Sequence, residues 1–252
     1  SLNYRGEKLQ MCKPSVKGFK ELNKKSSISV EVKDFDLCPR YSSLTISNVQ
    51  VTDSPDWLQN KLKAIGLNPV NNVVDITNFV LHETGQPLHA FDINKIHGKK
   101  VVVSRTKNDT KFITLDNKEI KLSSEDLMIN DAKKPMCIAG VMGGVESSVN
   151  NETKEIFLES AYFNPISIRK SSKRHSLSTD ASFRYERGCD PNITVYALKR
   201  AALLIMEICG GSLSSGINDL YPKKISHFKV ILSYDKMDKL IGEYIDLSLI
   251  HI

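Results

Sequence analysis

Stretches that alternate polar and apolar residues are interleaved in this chain with capped, amphipathic stretches of period 3.6, which confines it to a mixed α+β fold. Ser27-Ile28-Ser29-Val30-Glu31-Val32 alternates as a half-buried strand does, and residues 44–51 repeat the pattern. Cys38-Pro39-Arg40-Tyr41 reads as the turn between them. A helix is expected next, with Ser54 as N-cap, Pro55 in the first turn and Gly66 at its stop; Leu58, Leu62 and Ile65 form its apolar face. A second helix spans about 73–82 and ends at Gly85-Gln86-Pro87. Strands return at Val101-Val102-Val103, residues 112–115 and 127–129, with turns at Lys107-Asn108-Asp109 and Asp116-Asn117. Cys137-Ile138-Ala139 leads into a glycine loop, Gly140-Val141-Met142-Gly143-Gly144. Ile156-Phe157-Leu158 is a strand that ends at Glu159, and Asn164-Pro165 opens a helix. The best-formed helix takes Asp190 as N-cap and Pro191 as its first residue and closes at Gly210-Gly211, burying Ala197, Leu198, Ala201, Leu204, Ile205 and Ile208. The expected organisation is two interleaved subdomains over residues 1–224, followed over 225–252 by the truncated start of a small helical module containing Val230-Ile231-Leu232 and the stretch from Met237 to Gly242.

With 252 residues, 40% of them hydrophobic, the chain can bury one large core or two smaller ones. No stretch reaches the ~18 consecutive apolar residues that cross a bilayer, and the polar start Ser1-Leu2-Asn3-Tyr4-Arg5 lacks a signal peptide's apolar run, so a soluble cytoplasmic protein without a membrane partner is expected. Position 1 is not Met and the sequence stops just after an apolar segment begins, which suggests a piece of a longer polypeptide. The five cysteines (Cys12, Cys38, Cys137, Cys189, Cys209) are scattered without a CxxC, which argues against a disulfide framework and a zinc site. Lys+Arg number 35 against 29 Asp+Glu, a net charge of +6 that is compatible with a polyanionic partner. GxSxG, HExxH and a Walker loop are absent, so neither a covalent serine hydrolase nor a metallohydrolase nor a phosphate loop is expected.

Four blocks carry a resemblance. The first is Asn71-Asn72-Val73-Val74-Asp75-Ile76-Thr77-Asn78-Phe79-Val80-Leu81, continuing through Gly85-Gln86-Pro87-Leu88-His89-Ala90-Phe91-Asp92. The second is Ala139-Gly140-Val141-Met142-Gly143-Gly144, and the third Leu158-Glu159-Ser160-Ala161-Tyr162-Phe163-Asn164-Pro165. The fourth is Ser178-Thr179-Asp180-Ala181-Ser182-Phe183-Arg184-Tyr185-Glu186-Arg187-Gly188, followed by Asp190-Pro191. In this order and spacing they resemble the editing region of the bacterial phenylalanyl-tRNA synthetase β subunit, over roughly residues 38–215. The resemblance implies a hydrolytic site for tyrosine misattached to tRNA(Phe), separate from an aminoacylation site on an α subunit in an α2β2 assembly. It implies ATP and magnesium for the full enzyme and no cofactor for this piece. The alternative is a tRNA-binding or subunit-interface module without catalytic activity.

On the residues alone, Glu159 reads either as a solvated strand-end glutamate or as an acceptor for a phenol; the resemblance implies the second. His89 is a loop histidine or a group that positions water, and the resemblance implies the catalytic role. Thr77 and Asn78, late in a helix, cap its end or face a ligand. Gly140 and Gly143 make a tight turn or admit a substrate ring. The resemblance implies that Thr77, Asn78, Pro87, Gly140, Gly143, Thr179 and Ala181 line the substrate pocket with Glu159. Arg184, Glu186 and Arg187 read as a structural ion-pair network, and His82, His97, His175, His227 and His251 as surface or structural residues. Many members of the family carry arginine where this chain has Asn68, before Pro69-Val70-Asn71.

Overall fold

The computed structural model describes residues 13–246 and Ser248; Cys12 and His251 lie outside them. In chain order the elements are β1 (Ser29–Val32), β2 (Arg40–Ser47), α1 (Asp56–Ala64), α2 (Asn72–Thr84), β3 (His89–Asp92), β4 (Lys100–Arg105), β5 (Lys111–Ile113), β6 (Glu119–Lys121), β7 (Leu127–Asn130), β8 (Pro135–Ile138) and β9 (Met142–Gly143). They continue with β10 (Glu155–Tyr162), α3 (Pro165–His175), α4 (Asp180–Tyr185), α5 (Thr194–Ile208), β11 (Ser212–Leu213), β12 (Asn218–Leu220) and α6 (Tyr234–Ile241).

The strands make two main sheets. One has the order β1-β4-β7-β8-β9; the other runs β11-β2-β10-β3, with β12 also on β2. Strands from one sheet are threaded between strands of the other along the chain, which is the expected interleaving of an α+β fold. The β2–β10–β3 sheet is covered on both faces. Leu44, Ile46, Ala90, Ile156 and Leu158 pack with α1, α2 and α5 in one apolar cluster. Tyr41, Phe91, Phe157 and Ala161 join the other sheet, with Ile168 of α3 and Tyr185 of α4, in a second. Successive strand side chains point to opposite faces, so Phe157, Glu159 and Ala161 share one side of β10 and Ile156 and Leu158 the other. Burial on both faces explains why Ile156-Phe157-Leu158 reads as an unbroken apolar run rather than an alternating one.

Several boundaries differ from expectation. Ser54 does not cap α1: its hydroxyl donates to Asp75 Oδ2 at 2.6 Å, and Pro55 occupies the cap position without a side-chain bond. Arg40 and Tyr41 are the first residues of β2 rather than a turn, because β10 pairs with both and β12 with Tyr41. Glu159 lies inside β10, not at its end, for the same reason. Asp190 receives the Asn192 amide in a local turn, and the helix itself begins four residues later, at Thr194. In the C-terminal segment the helix α6 starts at Tyr234 from a Ser233 cap, three residues before Met237.

The long first motif does structural work. Asn71 caps α2 by accepting the Val74 amide at 2.9 Å. Asn72 donates to the Gln50 carbonyl and accepts the Thr52 amide, tying α2 to the exit of β2. Asp75, fully buried, accepts from Ser54 and from the Val70 amide. Gly85 ends the helix at φ +77°, a conformation that strains any residue with a Cβ.

Candidate functional site

The alternation of β10 delivers Glu159 to the same face as Phe157, between two antiparallel neighbours. Opposite it stand Ser43 on β2 and His89 on β3. Directly opposed residues place their Cβ atoms about 5 Å apart, so Glu159 and His89 form one cross-strand pair although 70 residues separate them in the chain. They face a cavity of about 60 Å³ whose wall also includes Pro87, Gly140, Gly143, Ala181 and Tyr185. At the ~10–15 Å³ a water needs, this is room for a small group rather than a packing defect.

Glu159 is 4% exposed, and its Oε2 accepts the Tyr41 hydroxyl at 2.8 Å. Burial pushes its carboxyl up to about 8, against the lowering pull of the Tyr41 bond. Neutral and ionised forms therefore coexist near pH 8. Burial likewise pushes the Tyr41 phenol well up, with Glu159 adding to the shift. His89 Nε2 is enclosed and has no hydrogen-bond partner among the described residues. Its ring lies edge-on to Phe91 at 4.4 Å, and burial depresses its pKa to about 4, so the imidazole is neutral at pH 7. A buried nitrogen left without a partner costs about 1–3 kcal/mol, a cost that a bound water or ligand atom removes.

Glycine is required at two places on the wall. Gly140 sits at φ +66°, and a Cβ there would come within 2.8 Å of Tyr185 Cδ2. A Cβ on Gly143 would come within 2.8 Å of His89 Cε1, so the missing side chain lets the imidazole approach the backbone. Residues 142–143 are a short strand on β8, and only part of the expected loop is irregular. Ala181 and Tyr185, four residues apart on α4, present one helix face to the cavity. The Tyr185 hydroxyl donates to the Ala161 carbonyl at 3.0 Å, and Gln86 Nε2 donates to the same oxygen at 2.8 Å, which ties β10, α4 and the 86–88 segment together.

The structure brings together His89, Glu159, Pro87, Gly140, Gly143 and Ala181 on this wall. Thr179 stands behind it, capping α4 and donating to the Val141 carbonyl at 2.8 Å. Thr77 and Asn78 lie mid-way along α2, away from the wall; the Thr77 hydroxyl donates to the Val74 carbonyl at 2.7 Å. Tyr41 and Cys137 belong to the site and carried no signal in a linear reading. Tyr185 did lie inside a motif, at the helical spacing from Ala181 that would have flagged it. Arg184 pairs with Asp180 and Arg187 with Glu186, two separate ion pairs rather than one network. Among the described residues, no group of three or more His, Cys, Asp or Glu side chains is placed to hold a metal ion, and no helix is long and apolar enough to cross a membrane.

The family model of the B3/4 domain matches residues 37–210. A phenylalanine–tRNA ligase beta subunit of Bacteroides fragilis is 49% identical over 245 residues, 97% of this chain and 30% of that protein. One from Porphyromonas gingivalis is 51% identical over 226 residues, 89% of this chain and 28% of that protein. The chain thus spans under a third of the length of these relatives. The crystal structure of an N-terminal fragment of the phenylalanyl-tRNA synthetase beta subunit from Pyrococcus horikoshii superposes with a TM-score of 0.52 at 13% identity, covering 91% of this chain and 64% of that one, a likeness of fold.

Proposed function

Since the chain belongs to the B3/4 domain family, we propose that it is the editing region of a bacterial phenylalanyl-tRNA synthetase β subunit, hydrolysing tyrosine wrongly esterified to tRNA(Phe). Residues 1–224 would be the editing domain and 225–252 the start of the next one. The full enzyme would be a cytoplasmic α2β2 ligase that uses ATP and magnesium, with the ligation chemistry on the α subunit.

The observation that carries this reading is the buried Glu159 carboxyl in a small cavity, already accepting one phenolic hydroxyl at 2.8 Å. A tyrosyl side chain offers a second phenol, which phenylalanine lacks. Synthesis and editing sites then sort in opposite directions, because a hydrogen-bonding pocket rejects an analogue without the hydroxyl far better than an apolar pocket rejects the extra one. Water attacks the ester carbonyl, the bond to the terminal ribose oxygen breaks, and that oxygen takes a proton. With a pKa near 4, His89 is a weak base, so its part is to hold the attacking water through Nε2. A neighbouring ribose hydroxyl of the tRNA is available to relay the proton. Thr179 enters this reading as a support of the wall, through its bond to the Val141 carbonyl, while Thr77 and Asn78 stay outside it within α2.

A second reading rests on a different feature. Six cations (Lys33, Lys100, Arg105, Lys107, Lys133 and Lys134) line a groove of about 630 Å³ along β4 and β7. Lys100, Arg105 and Lys134 are paired with carboxylates. This favours a binding module for a polyanion, whose signature is steep loss of affinity with salt and no ester hydrolysis.

Deacylation of preformed tyrosyl- and phenylalanyl-tRNA(Phe) by the assembled enzyme, with Glu159→Ala and His89→Ala alongside, separates the two readings. Selective loss of tyrosyl-ester clearance in the Glu159 variant is expected. Absence of clearance by the wild type would remove the editing reading and leave the binding one.

A further inference from the structure

Glu159 is a flexible side chain that has to present an oxygen in one direction if it is to tell a phenol from a phenyl ring. Its surroundings offer little to hold it. The groups that face it are Tyr41 on β2 with Cys38 just before that strand, His89 on β3, Cys137 on β8 and Tyr185 on α4. Among the described residues, no lysine, arginine or histidine comes within ion-pair distance of it, and Tyr41 is the one hydrogen-bond donor that reaches its carboxyl. The strand register explains how. Tyr41 is opposite Ala161 and Ser43 is opposite Glu159, so Tyr41 is the diagonal neighbour of Glu159 on the same face. Diagonal neighbours are about 7–8 Å apart, a span that an aromatic side chain bridges. Tyr41 is itself fully buried and is not among the residues that line the cavity, so its hydroxyl serves Glu159.

We propose that Tyr41 is the positioning residue for substrate selection: its hydroxyl holds Oε2 of Glu159, leaving the other oxygen as the acceptor presented to the phenol of a tyrosyl ester. This deepens the editing reading and rests on it. The same bond favours the ionised carboxylate, which accepts from two phenols at once, whereas a neutral carboxyl has one strong acceptor fewer. Because burial already lifts this carboxyl to about 8, loss of the Tyr41 hydroxyl raises it further and moves the onset of selectivity to higher pH.

The test uses the full-length β subunit assembled with its α subunit. Turnover of tyrosyl- and phenylalanyl-tRNA(Phe) esters is compared from about pH 6 to about pH 9, a range that brackets a raised carboxyl pKa, for wild type, Tyr41→Phe, Glu159→Gln and a variant carrying 3-fluorotyrosine at position 41. Tyr41→Phe is expected to cut the tyrosyl-over-phenylalanyl preference roughly tenfold, the weight of one hydrogen bond to a charged group, and to shift the pH profile of that preference upward. Fluorotyrosine, a stronger donor, is expected to shift it downward. Equal slowing of both esters with a lowered Tm, or an unmoved preference and profile, overturns the proposal. If Tyr41→Phe does not fold, the fluorotyrosine profile decides alone, and its failure to move has the same meaning. Glu159→Gln keeps the two levels apart: full preference in that variant defeats the editing reading itself, while loss there with an unaffected Tyr41→Phe defeats only the role of Tyr41.

Discussion

Asp126 and Glu159 are both buried carboxyls, and their surroundings differ in almost every respect. Asp126, with no exposed surface, accepts from Ser171 Oγ at 2.7 Å and from Arg174 on Oδ1, and on Oδ2 from the Ser123 amide at 2.8 Å, with His175 Nε2 2.7 Å from that same oxygen. Burial works to raise its pKa, and the bonds from Ser123, His175 and Ser171 overcome that, so it stays below the ordinary carboxylate range. Glu159 has one phenol. A carboxylate whose lone pairs are all used joins the turn before β7 to α3 and has nothing left to offer. One with acceptor capacity in reserve, beside a cavity and opposite a histidine nitrogen that lacks a partner, is available for chemistry. Burial alone does not separate the two; the donor count does.

The largest effect that would test this contrast is at Asp126. Asp126→Ala leaves Arg174 and His175 without their carboxylate and is expected to cost about 3–5 kcal/mol, read as a large fall in Tm, with ester selectivity intact in the protein that still folds. A selectivity change there would break the division of labour.

The pH dependence of stability comes next, at a few kcal/mol per group. Glu159, raised to about 8, contributes stability that is full below pH 4.5 and is lost as pH rises through about 8. His89, lowered to about 4, contributes stability present above pH 6.5 and lost as pH falls through about 4. Asp126, held low, loses its contribution only in stronger acid. Chemical denaturation across pH should therefore show a maximum between the two site-linked losses, and Glu159→Gln should flatten the alkaline fall. An unchanged alkaline fall in that variant would mean that the carboxyl is not the group responsible.

A smaller effect is expected at Gly143. Gly143→Ala places a methyl against His89 Cε1 and should slow ester clearance roughly tenfold by moving the imidazole, about 1.4 kcal/mol in barrier. Normal clearance would show that the water does not depend on where His89 sits. The smallest is at Thr77, whose hydroxyl is committed to the Val74 carbonyl. Thr77→Val should leave the tyrosyl preference within about twofold and stability within about 1 kcal/mol. A large loss of preference would bring α2 into the pocket after all.

Much of this protein is legible in its residues. Period-two and period-3.6 patterns locate most strands and helices, and Asn164-Pro165 marks the start of α3 because cap chemistry is local. The four motif blocks point to the family, and His89, Glu159, Gly140, Gly143 and Ala181 do meet on one wall. The failures are also local in form. Ser54 and Asp190 look like caps, but a hydroxyl or carboxylate bonds the nearest suitable partner in space, and for Ser54 that partner is Asp75, 21 residues away.

What the residues determine by themselves is the alternation that puts Phe157, Glu159 and Ala161 on one side of a strand, and the α+β class that such patterns require. Which strands lie beside β10, and in what register, is decided by tertiary structure alone, because pairing satisfies backbone groups that are alike at every position. That register sets His89 opposite Glu159 and brings the Tyr41 hydroxyl diagonally within 2.8 Å of it, across 118 residues of chain. It is also what moves the two pKa values, since desolvation is a property of the packed core and not of any segment of it.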